Sequence, residues 1–186
     1  MTQNIGFIGV GFMGLGIAKN LIKHSFKLKI IAHINRVPIK KLLSLGAEEV
    51  ENYENLSKNI DCLFICVTNT PIAIEIAKKI APMLPKDSLI IDITTHQENG
   101  SIQMDKIFKE NKINYVESPV MGGPIQAEEG VLGGIVGSSK INFNKAQPYL
   151  STFCKHYYYF GEVGMGAKTK LISNFLSLGT TTFVIE

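Results

Sequence analysis

The first 47 residues of this 186-residue chain contain no aspartate or glutamate. The same stretch carries Lys19, Lys23, Lys27, Lys29, Arg36, Lys40 and Lys41, so a modest net charge of +3 conceals a strongly basic N-terminal portion. Such a stretch is either a solvated face or a surface for an anionic molecule. Nucleic acid is not expected as the anion, because no aromatic-rich basic stripe or known binding motif accompanies the charges. Long apolar runs are also missing. No stretch approaches the roughly 18 consecutive apolar residues of a spanning helix, so no membrane partner is expected. The opening "MTQNIGFIGVG" has neither a basic n-region nor a small-residue cleavage site, and a signal peptide is not expected. Cysteine is scarce: Cys62, Cys66 and Cys154 cannot all pair. Cys62 and Cys66 share one apolar run, and residues four apart in an extended strand cannot be bridged. No histidine stands near them at metal-ligand spacing, so no metal is expected and the thiols read as reduced core residues of a cytoplasmic protein. Internal repeats and low-complexity linkers are absent.

What is present is the composition of a globular domain, 45% hydrophobic and 19% charged, on a chain long enough for one substantial core. Short apolar runs alternate with amphipathic segments. Residues Asn4–Val10, Leu28–Ile34, Asp61–Val67, Ser88–Ile93 and Ile113–Ser118 read as strands. Those around Cys62 and Leu89 lack polar alternation, as expected of a parallel sheet buried on both faces. The intervening "FMGLGIAKNLIKH", "PIKKLLSLG", "TPIAIEIAKKIAPML" and "QENGSIQMDKIFKEN" have helical spacing, with Pro38 and Pro71 in tolerated first-turn positions and Gly46 as a stop. Two later strands, Val131–Gly137 and Lys155–Phe160, flank a helix over "NFNKAQPYL". Alternating strands and helices imply right-handed βαβ units. The expected fold class is α/β, a Rossmann-type doubly wound, mostly parallel sheet with flanking helices over residues 1–162. Residues 163–186 then begin a long C-terminal helix. His24, His96 and His156 read as ordinary loop or surface histidines.

The first strand runs into "GVGFMG", in which Gly9, Gly11, Phe12, Met13 and Gly14 form a GxGxxG opening an amphipathic helix. In this setting Gly9 allows a tight turn and Gly11 a close backbone approach to a pyrophosphate. Gly14 allows helix to pack on strand, and the helix N-terminus supplies partial positive charge. Dinucleotide binding is the reading that fits. NAD binders usually carry an acid at the end of the second strand, for the ribose 2′-hydroxyl. Here "AHINRVP" offers His33, Asn35 and Arg36. Arg36 is either merely solvated or a planar cationic fork for a 2′-phosphate, which favours NADP, with NAD possible.

Near the other end, "GEVGMGAKTKLISNFLSLG" sends a glycine-rich turn into a helix bearing Lys168, Lys170 and Asn174. Lysines there are disfavoured by the helix dipole. Lys170 and Asn174 share a face, extended by Ser177 and Thr181. Leu171, Phe175, Leu178 and Ile185 form one flanking ridge, and Ile172, Leu176 and Phe183 the other. A narrow polar stripe on an apolar helix is costly to bury unless it lines a site. Lys168, on another face, reads as solvated or close to a cofactor phosphate.

With these segments in view, the chain resembles the β-hydroxyacid dehydrogenases. "GFIGVGFMGLGIAKNL" is similar to their GxGxMGxxMAxNL cofactor loop, and "DITT" to their D-x-S-T segment. "ESPVMGGPIQAEEGVLGGIVG" is similar to D-x-P-V-S-G-G with its following acidic loop and strand, and "GMGAKTKLISN" to G-x-G-x-x-x-K-x-x-x-N. The resemblance implies reversible hydride transfer between a nicotinamide cofactor and a small 3-hydroxy acid or semialdehyde, so a small-molecule carboxylate substrate. It implies Lys170 as the catalytic lysine and Asn174 as its partner. Thr95 becomes a cofactor contact; Val67 and Thr68 fall where a Leu-Pro pair lies beside the cofactor. Met121, Gly122 and Gly123 stand at the substrate-carboxylate position, with Met121 replacing a serine. The resemblance further implies a homo-oligomer, and an all-α domain of which residues 163–186 are the first helix. The alternatives are a relative of 6-phosphogluconate dehydrogenase, a reductase of a non-acid carbonyl, and a dinucleotide-binding module without catalysis.

Overall fold

The computed structural model describes residues 3–31 and 35–185. Ala32–Ile34, which include His33 and the expected end of the second strand, lie outside the described residues, as do residues 1–2 and Glu186.

The N-terminal half alternates β1 (Asn4–Ile8), α1 (Phe12–Lys23), β2 (Lys27–Ile31), α2 (Arg36–Ser44), β3 (Glu48–Val50), α3 (Tyr53–Ser57), β4 (Cys62–Ile65), α4 (Thr70–Ile80), β5 (Leu89–Asp92) and α5 (Glu98–Glu110). The rest comprises β6 (Asn114–Glu117), β7 (Val120–Met121), α6 (Pro124–Glu129), β8 (Leu132–Gly137), α7 (Lys140–Leu150), β9 (Cys154–Gly161) and α8 (Met165–Ile185). One sheet has the order β3-β2-β1-β4-β5-β6-β8-β7, with β9 paired to β8. Pairing is parallel from β3 to β6, antiparallel where β8 meets β6 and β7, and parallel again between β8 and β9. This is the doubly wound, mostly parallel fold expected from the alternation of segments. The expected strands and helices are all present; β3, α3, β7 and α6 are additions, each too short for periodicity to reveal.

The central strands explain the arrangement. Every residue of β4 and β5 is buried, so helices must cover both faces. One hydrophobic cluster joins Phe7, Ile17, Leu21, Phe64, Ile91, Tyr149 and Phe153 on the α1 and α7 side. Another joins Leu63, Ile65, Ile76, Ile80, Ile90, Phe108 and Tyr115 on the α4 and α5 side. Local signals start the helices: Asn35, Asn52, Asn69 and Ser139 each accept a backbone N–H from the first turn of α2, α3, α4 and α7, the usual role of such side chains. The three thiols are free, and burial pushes those of Cys66 and Cys154 up to about 12. Among the described residues, no helix is long and apolar enough to cross a membrane.

Candidate dinucleotide and substrate site

Strand register places the loops of interest on one edge. Ile8 pairs with Ile65, Ile65 with Asp92, and Asp92 with Glu117. The carboxyl ends of β1, β4, β5 and β6 are therefore level, and Gly9, Val67, Thr95 and Met121 all follow that line. After β1 the chain goes to β2 and β3 on one side, then returns to β4, β5 and β6 on the other. This switch point, outside the carboxyl ends of the strands, is where doubly wound sheets bind ligands.

The glycine loop sits at the switch. Gly9 has φ +95°, and a Cβ there would lie 2.0 Å from the Cys66 carbonyl oxygen. A Cβ on Gly14 would lie 2.1 Å from the Gly9 carbonyl oxygen. Both positions are closed to any side chain. Around Gly11, by contrast, a Cβ would meet nothing within 4 Å, so its side is open to an incoming group. The N-terminus of α1 has no side-chain cap and no acid in its first turn. Phe12 is 89% exposed and Met13 half-buried against the core. These residues fit a dinucleotide: uncapped N–H groups, free approach at Gly11, and no competing anion.

At the end of β2 the geometry adds a group that the local sequence does not contain. Asn35 caps α2 by accepting the Val37 N–H at 3.0 Å. Arg36 is held in a two-pronged pair by Glu49 of β3, with Nη2 2.9 Å from Oε2 and Nη1 on Oε1. The shared hydrogen bonds hold the Arg36 pKa up and the Glu49 pKa down. A carboxylate thus stands beside Arg36 after all, delivered by an adjacent strand.

On the opposite side of the switch, Thr68 and Thr95 are exposed and Val67 is half-buried. The Val67 N–H donates to Thr94 Oγ1 at 3.1 Å. Below them, Asp92 is fully buried and fully used. Its Oδ1 accepts the Thr94 N–H at 2.9 Å, and its Oδ2 accepts the Tyr115 hydroxyl at 3.0 Å and meets His96 Nε2 at 2.8 Å. His96 is therefore not a loop or surface histidine: it is 1% exposed. The sequence offers only a polar "THQEN" after the strand, and the turn folds this one residue back beneath it. His24 and His156 are exposed, as expected.

Met121, Gly122 and Gly123 leave the sheet beside α8. Met121 is 45% exposed, and its Sδ accepts from the Ser173 hydroxyl at 3.8 Å. The Gly123 N–H donates to Gln126 Oε1 at 2.9 Å, so it is already occupied. The following α6 is fixed to α1 by the buried Asn20 side chain, which donates to the carbonyls of Gly16, Ala127 and Glu128. The loop of Met121–Gly123 and the glycine loop are thereby held by two helices locked together.

The start of α8 is anchored by Glu117, at the end of β6 and fully buried. Its Oε1 accepts the N–H groups of Gly164, Gly166 and Ala167 at 2.7, 2.8 and 3.3 Å. Burial still raises the Glu117 pKa above its usual value despite these donors. Lys168 Nζ pairs with Glu98 at 2.6 Å. Lys170 is half-buried, and burial lowers its pKa; Asn174 follows one turn later, also half-buried. Beyond them α8 is largely exposed, Phe175 at 77%. Glu49, Glu117, Asn20 and the Asp92–His96 pair carry no local signal of these roles. Of them, Asn20 inside "GFIGVGFMGLGIAKNL", Asp92 inside "DITT" and Glu117 inside "ESPVMGG" belong to stretches that the pattern of residues marks as functional, whereas Glu49 and His96 do not.

A mostly parallel, doubly wound sheet, a side-chain-free glycine turn at its switch point and an uncapped helix behind it define a dinucleotide-binding domain. Residues 4–161 match the family described as the NAD binding domain of 6-phosphogluconate dehydrogenase, and the chain belongs to that family. It is 31% identical over 175 residues to 2-(hydroxymethyl)glutarate dehydrogenase of Eubacterium barkeri, covering 92% of this chain and 58% of that protein. It is 32% identical over 180 residues to the chloroplastic glyoxylate/succinic semialdehyde reductase 2 of Arabidopsis thaliana, covering 94% and 49%. These relatives bear out the resemblance to the β-hydroxyacid dehydrogenases. The solved structure of Mycobacterium tuberculosis 3-hydroxyisobutyrate dehydrogenase with L-serine shares the fold, with a TM-score of 0.90 at 18% identity over 95% of this chain and 60% of that one. The chain spans about half the length of the curated relatives it matches.

Proposed function

We propose that the chain is the cofactor-binding part of an NAD(P)-dependent oxidoreductase acting on a small 3-hydroxy acid or semialdehyde. The observation that carries this reading is Lys170: a half-buried lysine with a lowered pKa, on a helix anchored at the carboxyl edge of the sheet by Glu117. A lysine whose proton is loosened by desolvation is suited to general acid–base work. Gly9, Gly11, Phe12, Met13 and Gly14 would hold the diphosphate, Asn35 and Arg36 the adenosine ribose, and Val67, Thr68 and Thr95 the nicotinamide side. The bound nicotinamide supplies or takes up the hydride. Lys170 would give its proton to the carbonyl oxygen in reduction and take it back in oxidation, and Asn174 would orient the substrate hydroxyl. In this reading residues 1–162 form the cofactor domain and residues 163–186 open a helical region. The exposed apolar residues of α8, among them Phe175 and Phe183, support burial against a second copy.

The test is turnover of 3-hydroxy acids with NADP or NAD. Lys170→Ala should lower it by about 10²–10⁴-fold while nucleotide affinity stays unchanged. Near-normal turnover in that variant would make Lys170 an ordinary solvated lysine. One observation favours a second reading, a carbonyl substrate without a carboxylate. Met121 brings a thioether where a hydroxyl would serve an acid, and Gln126 already occupies the Gly123 N–H. Comparing a semialdehyde acid with its uncharged analogue would separate the two.

A further inference from the structure

We infer that His96 is a positioning residue for the nicotinamide half of a bound dinucleotide, acting by tying the loop after β4 to the loop after β5. The inference rests on the dinucleotide reading above. His96 Nε2 lies 2.8 Å from Asp92 Oδ2, and its Nδ1 lies 2.9 Å from Thr70 Oγ1. Asp92 ends β5 and Thr70 begins α4, so one imidazole spans two separate βα connections. In a neutral imidazole whose Nε2 donates to the Asp92 carboxyl group, Nδ1 is left to accept the Thr70 hydroxyl. Few side chains present two polar atoms on opposite edges of a rigid ring at this span; a phenyl ring has the shape without the atoms.

The tie is reinforced on both sides. The Val67 N–H donates to Thr94 Oγ1 at 3.1 Å, and the Thr94 N–H to Asp92 Oδ1 at 2.9 Å. Gly100 of α5 lets Thr70 come close, since a Cβ there would lie 2.6 Å from Thr70 Cγ2. Val67, Thr68 and Thr95 thus hang between fixed points, and a fully satisfied buried network holds a single geometry. In a doubly wound sheet the two mononucleotide halves lie on either side of the switch point. Asn35 and Arg36 stand on the β2 side. The β4–β5 side remains for the nicotinamide, and α8 with Lys170 is anchored on that same side at Glu117. Loosening the tie should therefore affect the ring half and spare the adenosine half.

The experiment compares ligands with and without the ring, NADH against ADP-ribose and NADPH against 2′-phospho-ADP-ribose, by calorimetry on the intact chain. Thr70→Val removes only the link to α4 and retains shape. It should weaken the ring-bearing ligands about five- to tenfold and the ring-less ones less than about twofold, one hydrogen bond's worth of ordering. His96→Phe should exceed about tenfold on the same ligands, and His96→Gln, which can still donate to Asp92, should recover part of that loss. If His96→Phe does not fold, Thr70→Val alone decides. Equal weakening of both ligand types, or no weakening, overturns the inference. Wild-type chain that binds neither type fails the dinucleotide reading and this inference with it; wild type that binds both while the variants behave identically fails this inference alone.

Discussion

The helices α1 and α8 both begin at glycine-rich turns on the carboxyl edge of the sheet, yet their N-termini are treated in opposite ways. At α8 the first backbone N–H groups converge on the buried carboxylate of Glu117. At α1 there is no side-chain cap and no acid in the first turn. The electrostatics are the same in both, several orphan donors backed by a partial positive charge. One helix satisfies them from within the chain and becomes a fixed mount for Lys170. The other leaves them for an anion from outside. Packing follows the same division. Ile17, Ala18 and Leu21 of α1 are sunk in the core, whereas α8 is buried only at Gly166 and Ala167. The lesson is that an uncapped helix start gains meaning from a capped one nearby, because the fold has the means to fill both.

The comparison can be broken most severely at α1. Gly14→Val forces a Cβ against the Gly9 carbonyl, 2.1 Å away. Loss of more than about 3 kcal/mol is expected, because backbone rather than a movable side chain must yield. Chemical denaturation would reveal it, and a variant of wild-type stability would contradict the packing described.

At α8, Glu117→Ala strips three N–H groups of their acceptor and should cost about 2–4 kcal/mol. Glu117→Gln keeps an acceptor oxygen and should cost less. The two also differ in pH dependence. Burial raises the Glu117 pKa above its ordinary 4.5, so the folded state holds this proton more tightly than the unfolded chain. Its contribution is fully present below the unfolded value and is lost as pH rises through the raised one. Melting midpoints measured upward from pH 4.5 should therefore fall in wild type relative to Glu117→Gln. A constant difference would mean that the carboxylate is not desolvated.

A smaller effect is expected at the Arg36–Glu49 pair. Glu49→Gln frees the guanidinium and should tighten NADPH binding by about tenfold without changing NADH. Arg36→Ala should erase any preference for NADPH. Fluorescence titration decides, and a preference indifferent to both substitutions would remove Arg36 from the site.

The smallest change sharpens the comparison directly. Phe12→Glu gives the α1 N-terminus a carboxylate, as Glu117 of β6 does for α8. It should stabilise the domain by about 0.3–1 kcal/mol while weakening nucleotide binding, since the new carboxylate competes for the same donors. Stabilisation with unchanged affinity would separate the α1 N-terminus from the ligand.

Much of the fold is legible in the order of residues alone. Continuous apolar runs around Cys62 and Leu89 imply strands covered on both faces, and amphipathic segments between them imply the covering helices. The glycines of "GVGFMG" follow a strand, and that order alone marks a switch-point loop, because backbone crowding there excludes side chains. The polar stripe of Lys170 and Asn174 is equally visible, since helical spacing is a local property. Other features depend on partners distant in sequence. Glu49 reaches Arg36 only through the pairing of β3 with β2. Glu117 meets Gly164 across 47 positions. His96 looks like any polar loop residue until the turn after β5 buries it between Asp92 and Thr70. Periodicity and turn chemistry act over a few residues, so the sequence by itself determined the elements and the glycine loop. Which charges are paired, and which helix end stays open, are contacts between elements, and only the tertiary structure decided them.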